Sequence, residues 1–263
     1  MCEHAPDGTA FEVSGPEGAP WVILIHGLGL SRALWDAHLP AFSRYRVVRH
    51  DLLGHGQSAP VTGKCSLADY SAQIVGLMDH LGIVRAHLVG FSIGGMINRR
   101  FALDHPDRLA SLVIMNSPHN RGSEAQEAVE ARAKSVRDQG AFATFDAALK
   151  RWFTPEYLAS GPGPALVRDW RAQVDAESYA QTAWVLANGV RELIAPTPPV
   201  VAPALVMTCE NDSGSTPQMA RDIAAEIKGA ALLIVPRLQH LGLLEEPALF
   251  TDPITEFLDE VSG

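Results

Sequence analysis

The chain has 263 residues, 47% of them hydrophobic and 19% charged, the make-up of a globular domain; this excludes a disordered chain and a disulfide scaffold, and the length suits one domain or one domain with an insertion. A formal net charge of -9 opposes binding to polyanions, so nucleic acid is not an expected partner. Cys2, Cys65 and Cys209 are odd in number and irregular in spacing, so they are expected as reduced thiols; with no leader-like pattern at the N-terminus and no apolar run of roughly 18 residues, a cytoplasmic protein without a membrane span is expected.

In chain order, "EVSGPEGAPW" leaves an early antiparallel strand through a turn. Short apolar runs bounded by turn residues follow at 21–27, 45–51, 86–92, 109–117, 203–212 and 230–236; these are expected as buried strands. Between them, residues 67–81, 93–104, 217–228 and 247–260 carry helical spacing, with Leu67, Tyr70, Ile74, Leu77, Met78 and Leu81 on one face of the first. Strand and helix alternate, which predicts an α/β fold: a mostly parallel central sheet with helices on both faces. Residues 119–195 break the rhythm with Ala-rich helical sequence and the Pro/Gly clusters "GPGP" and "APTPP". They are expected as a helical cap inserted into a core made of 1–118 and 196–263.

The stretch "LVGFSIGGM" at 88–96 places Ser92 between a strand and a helix, flanked by Gly90 and Gly94. Small residues at those positions are what a sharp strand-to-helix turn requires if it is to expose a hydroxyl. G-x-S-x-G alone is a weak signal, and the bland reading is a small residue between glycines; the strand before it and the helix after it favour a nucleophile. A nucleophilic serine needs a base and an orienting acid. His240 in "PRLQHLGLLEEP" follows the last strand, on a loop at the sheet edge where such a base belongs. His80, His87 and His105 fall where surface or capping roles suffice. The loop "TCENDSGSTP" offers Asp212, with Glu210 as the second choice and an Asx-turn as the structural alternative. Backbone N–H groups of Leu28 in "LIHGLGLS" and of Ile93 at the helix start are the candidate oxyanion hole.

The motifs "HGLG", "DLLGHGQS", "GFSIGGM" and "ENDSGSTP" followed by "QHLGLLEEP" stand in an order and spacing that resembles the α/β-hydrolase superfamily over nearly the whole chain. The resemblance implies the triad Ser92, Asp212 and His240, and a structural role for Asp51, His55 and Ser58. "HPDRLASLVIMNSP" and "RWFTPEY" are similar to the 3-oxoadipate enol-lactonase branch and its carboxylesterase and haloperoxidase-like relatives.

The expected chemistry is therefore two-step acyl transfer on a small-molecule ester or lactone, without metal or organic cofactor. A C–C bond hydrolase, a perhydrolase and a non-catalytic small-molecule receptor are the alternatives on the same fold. Cap aromatics, Trp152 and Trp184 among them, are candidates for substrate contact, although core packing is the commoner role of each. Arg32, Arg121, Arg151 and Arg191 are candidates for meeting a substrate carboxylate, against the commoner reading of surface arginine.

Overall fold

The computed structural model describes residues 2–262. Eight strands form one sheet: β1 Glu3–His4, β2 Ala10–Ser14, β3 Trp21–Ile25, β4 Arg46–His50, β5 Ala86–Phe91, β6 Leu109–Met115, β7 Ala204–Cys209 and β8 Ala231–Val235. Their order is β1-β2-β4-β3-β5-β6-β7-β8. β2 pairs antiparallel with both β1 and β4, and the remaining pairings, from β4–β3 through β7–β8, are parallel.

The central strands read as continuous apolar runs because both faces are covered. Ile23, Ile25, Leu88, Leu112 and Ile114 point into one cluster with helices α1 Leu67–His80, α2 Ile93–Asp104 and α8 Pro217–Glu226. The alternate residues Val22, Leu24, Val89, Val113 and Met115 point into the other, with Phe250, Ile254 and Leu258 of α10 Ala248–Ser262. Each such aliphatic side chain contributes about 1.5–3 kcal/mol by leaving water, so polar substitution on either face of β3 or β5 is costly. β8 departs from the expected buried strand: Ala231 and Leu232 are exposed. It is the edge strand next to β7, so it lacks a second neighbour.

Between β6 and β7 lie five α-helices, a short 3-10 helix at Gly189–Leu193 and no strand: the α-helices are α3 Gly122–Gln139, α4 Phe145–Trp152, α5 Pro155–Ser160, α6 Gly163–Ala172 and α7 Ala176–Asn188. Ala133 and Val136 of α3 pack on Tyr179, Ala180, Ala183 and Ala187 of α7. Small side chains explain the alanine richness, since they let the two helices approach closely. Phe145, Phe153, Val167 and Trp170 instead join the core cluster that covers the α10 face. A short helix, α9 Gly242–Glu245, precedes α10. No described helix is long and apolar enough to cross a membrane.

Candidate active site

β5 runs straight into α2, and the reversal is made at one residue. Ser92 has φ 59° and ψ -114°, a backbone conformation that a non-glycine residue adopts only when its surroundings enforce it. Its N–H donates to the Met115 carbonyl at 2.8 Å. A Cβ at Gly90 would collide with the Gly94 carbonyl, and one at Gly94 would lie 2.5 Å from the Ile25 carbonyl oxygen. The glycines therefore serve the turn, and the turn presents Ser92 to a cavity while leaving only 7% of it exposed.

Asp212 and His240 reach the same cavity from the loops after β7 and β8. Asp212 is buried with all its acceptor capacity used. Oδ1 accepts the N–H groups of Gly214 and Ser215, both at 2.9 Å. Oδ2 accepts the Asn116 side-chain amide at 2.9 Å and His240 Nδ1–H at 2.6 Å. Burial works to raise the carboxyl, but its electrostatic attraction to the His240 ring and these hydrogen bonds outweigh it, and Asp212 titrates below its ordinary value. An ionised carboxylate only accepts, so Nδ1 carries the proton and Nε2 is left as a basic nitrogen. The His240 ring is held between Phe91 and Trp152, with centroids 5.0 and 6.3 Å away. No hydrogen bond joins Ser92 Oγ to His240 in this structure, although both line one cavity.

Leu28 also lines the cavity, and Ile93 is the first residue of α2. Among the described residues, neither N–H meets an acceptor. The loop carrying Leu28 is pinned by two histidines. His26 Nε2 accepts from Leu52 N–H at 2.9 Å, so its Nδ1–H donates to the Gly27 carbonyl at 2.7 Å. His55 Nε2 accepts from Gly29 N–H at 3.0 Å and its Nδ1–H donates to Leu53 O at 3.1 Å. Burial pushes both imidazoles down to about 3, so they are neutral and these donor roles are fixed. Asp51 completes the frame by accepting Arg32 N–H at 2.8 Å and Gln57 N–H at 3.0 Å, and Ser58 Oγ donates to its carbonyl at 2.7 Å.

The other candidates separate cleanly. Trp152 lines the cavity, whereas Trp184 is 45% exposed and lies outside it; its position on α7 turns it away from the Ala-rich face that packs on α3. Glu210 is exposed and accepts the Arg237 N–H, while Asp212 is the carboxylate bonded to His240. Arg121 and Arg151 line the cavity. Arg32 does not, being ion-paired with Asp51 and Glu12, and Arg191 pairs with Glu130. His87, expected at a surface or cap, is buried within β5 and bonded to Ser111 Oγ at 2.7 Å.

Three cavity or support residues escape a reading of the sequence. Arg132 and Arg171 line the cavity from α3 and α6, in segments where arginine is ordinary surface composition. Asn116, at φ 46° just after β6, holds Asp212; the only signal was an asparagine, a residue that tolerates the left-handed region, where a strand ends.

The cavity has a volume of about 160 Å³ and is walled by the loop after β3, the Ser92 turn, the two loops bearing Asp212 and His240, and helices α3, α4, α6 and α7. Residues 20–154 match the model of the alpha/beta hydrolase fold family. The enol-lactonase from Burkholderia xenovorans LB400 superposes with a TM-score of 0.88 at 30% identity, over 98% of this chain and 100% of that one. Two Acinetobacter baylyi proteins are also similar. One is (E)-2-((N-methylformamido)methylene)succinate hydrolase, 27% identical over 95% of this chain and 94% of its own length. The other is 3-oxoadipate enol-lactonase 2, 29% identical over 91% and 89%. The eight-stranded, mostly parallel sheet and these matches together make the chain a member of the alpha/beta hydrolase family, and a hydrolase.

Proposed function

We propose that the chain hydrolyses a carboxylic ester or lactone of a small molecule by acyl transfer through Ser92, with His240 as base and Asp212 as its orienting acid. The observation that carries this reading is the strained Ser92 turn opening onto the same cavity as a histidine whose proton is locked on the nitrogen facing a buried carboxylate. His240 Nε2 takes the Ser92 hydroxyl proton after a side-chain rotation that brings the two together, as often happens only once substrate is bound. The alkoxide attacks the carbonyl, and the charge that develops on oxygen is met by the N–H groups of Leu28 and Ile93, the second at the positive end of α2. The protonated imidazole gives its proton to the leaving oxygen. Water, deprotonated by the same histidine, then cleaves the acyl-enzyme.

Residues 119–195 act in this reading as a cap over a core of 1–118 and 196–263, excluding water and shaping the pocket with Trp152. Similarity to enol-lactonases makes an enol-lactone the first substrate class to try. The test is release of p-nitrophenol from p-nitrophenyl acetate and butyrate by the protein and by Ser92→Ala, with mass spectrometry after a fluorophosphonate probe. Turnover that Ser92→Ala lowers by about a thousandfold or more, with one adduct on Ser92, is expected. Turnover unchanged in Ser92→Ala, or an adduct elsewhere, overturns the assignment.

A further inference from the structure

Two arginines are buried in this chain, Arg99 and Arg171. A guanidinium is solvated far better by water than by a protein interior, so each requires compensation. Arg99 has it: it donates to the Pro118 and Leu193 carbonyls and lies 3.9 Å from Glu226. Arg171, on α6, does not. It is 2% exposed, donates Nη1–H to the Ala141 carbonyl at 3.0 Å, and leaves Nε and Nη2 without an acceptor. Among the described residues no carboxylate pairs with it.

What holds Arg171 is aromatic. Its guanidinium carbon stands 4.4 Å from the Tyr179 ring centroid, 5.3 Å from that of Phe145 and 5.6 Å from that of Trp152. Ring faces attract a cation through their quadrupoles and leave its charge unneutralised. The stack aims the guanidinium at one place. A Cβ at Gly29 would fall onto Nε, and the three atoms nearest to it all belong to Arg171. Gly29 has φ 70°, follows Leu28 directly, and gives its N–H to His55. Burial chiefly, and the charge of Arg171 in addition, hold His55 down to about 3, so the loop rests on a neutral imidazole. Asp51, the carboxylate of this frame, is already paired with Arg32.

We infer that Arg171 is a positioning residue of the oxyanion loop: stacked on three rings, it presses its guanidinium on Gly29, fixes the direction of the neighbouring Leu28 N–H and lays an uncancelled positive charge beside the place where the substrate carbonyl becomes an oxyanion. The inference rests on the acyl-transfer reading and adds to it a group from α6. Two effects follow from the geometry. Clamping a glycine turn leaves the Leu28 N–H nothing to reorganise as charge develops. The guanidinium charge, in a low-dielectric setting, gains value only as negative charge appears on the substrate oxygen, so it lowers the barrier without tightening the binding of a neutral ester. Arg171 itself meets no substrate, because its nitrogens are buried against Gly29.

The test compares Arg171→Met, neutral and similar in length, with Arg171→Lys, which keeps a cation over the rings. In Arg171→Met, kcat/KM for p-nitrophenyl acetate should fall about tenfold or more. Affinity for phenylboronic acid, which forms a negatively charged tetrahedral adduct on Ser92 with an oxygen at the oxyanion position, should fall by the same factor. Inhibition by benzamide, planar and neutral, should stay within about twofold. Arg171→Lys should lose less than Arg171→Met by both affected measures. The contact is tested without chemistry by Gly29→Ala, which should lower Tm more in the unaltered protein than in Arg171→Met, where no guanidinium is struck. If Arg171→Met does not fold, Gly29→Ala alone, which pushes the guanidinium off the loop, should show the same split between boronate and benzamide. An unchanged kcat/KM in Arg171→Met, equal losses of boronate and benzamide affinity, Arg171→Lys no better than Arg171→Met, or a Gly29→Ala penalty that ignores residue 171 would each overturn the inference. Failure of the acyl-transfer reading looks different: no ester turnover and no boronate adduct in the unaltered protein, beside an intact Tm coupling between positions 29 and 171.

Discussion

At the scale of single residues, Asn116 has the clearest unclaimed role. Its amide is one of two side-chain donors to Asp212, and its backbone sits at φ 46°. Two substitutions separate these contributions. Asn116→Gly keeps the backbone freedom and loses the amide, whereas Asn116→Ala loses the amide and also strains the chain. A hydrogen bond to a charged group is worth about 1.5–3 kcal/mol. Both variants should therefore lower kcat for ester hydrolysis by about tenfold or more, and Asn116→Ala alone should show a further loss of Tm. Equal melting temperatures with unaltered kcat would leave Asn116 without a role at Asp212. Asp212 itself titrates low, so its charged contacts are complete above the ordinary carboxylate range and are lost only as pH falls through the depressed value.

At the scale of elements, the helical segment between β6 and β7 meets the sheet at two chain crossings, and one buried arginine grips both. Arg99, on α2 beyond the Ser92 turn, donates to the Pro118 carbonyl at 3.2 Å and to the Leu193 carbonyl at 2.8 Å. Glu226 of α8 accepts from His119 Nε2 at 3.0 Å and from Ala195 N–H at 2.8 Å, and lies 3.9 Å from Arg99. Arg99→Met removes both grips and leaves Glu226 without its cation. A stability loss of about 2–4 kcal/mol is expected. Hydrogen exchange should speed up first in α3 and α7, not in β3 or β5; uniform exchange across the sheet would contradict a clasp specific to the insertion. This clasp was not legible in the sequence, because arginine within a helix and glutamate near the end of another are normally solvent-facing. The parallel sheet was legible, since apolar runs between helical repeats have few other solutions, and so were the positions of Ser92, Asp212 and His240, each tied to the end of a strand. Residues whose partners come from distant elements were not: Arg171 meets Gly29 across 142 positions in the chain, and no local pattern encodes that contact.

At the scale of the molecule, burial has left several imidazoles that fold only in the neutral form. His26 and His55 are pushed down to about 3, and His38, His50 and His87 to about 4, each chiefly by desolvation. In the unfolded chain the same five titrate near the ordinary value of about 6.5. As pH falls from there toward 4, the unfolded chain takes up protons that the folded one refuses, so stability drops as pH falls across that window. Each histidine adds a slope of about 1.4 kcal/mol per pH unit once its unfolded form is fully protonated. Against a typical stability of about 5–15 kcal/mol, five of them are enough to unfold the protein before most carboxylates are neutralised. Urea midpoints measured from pH 7 down to pH 4.5 should fall steeply, with unfolding in buffer alone between about pH 5.5 and 4. His87→Gln tests the origin of the slope, since glutamine can still meet Ser111 but cannot titrate. It should remove close to one proton from the pH dependence, flattening the slope by about 1.4 kcal/mol per pH unit. A stability that stays level to pH 4, or a His87→Gln slope equal to the parent's, would place acid sensitivity elsewhere in the molecule.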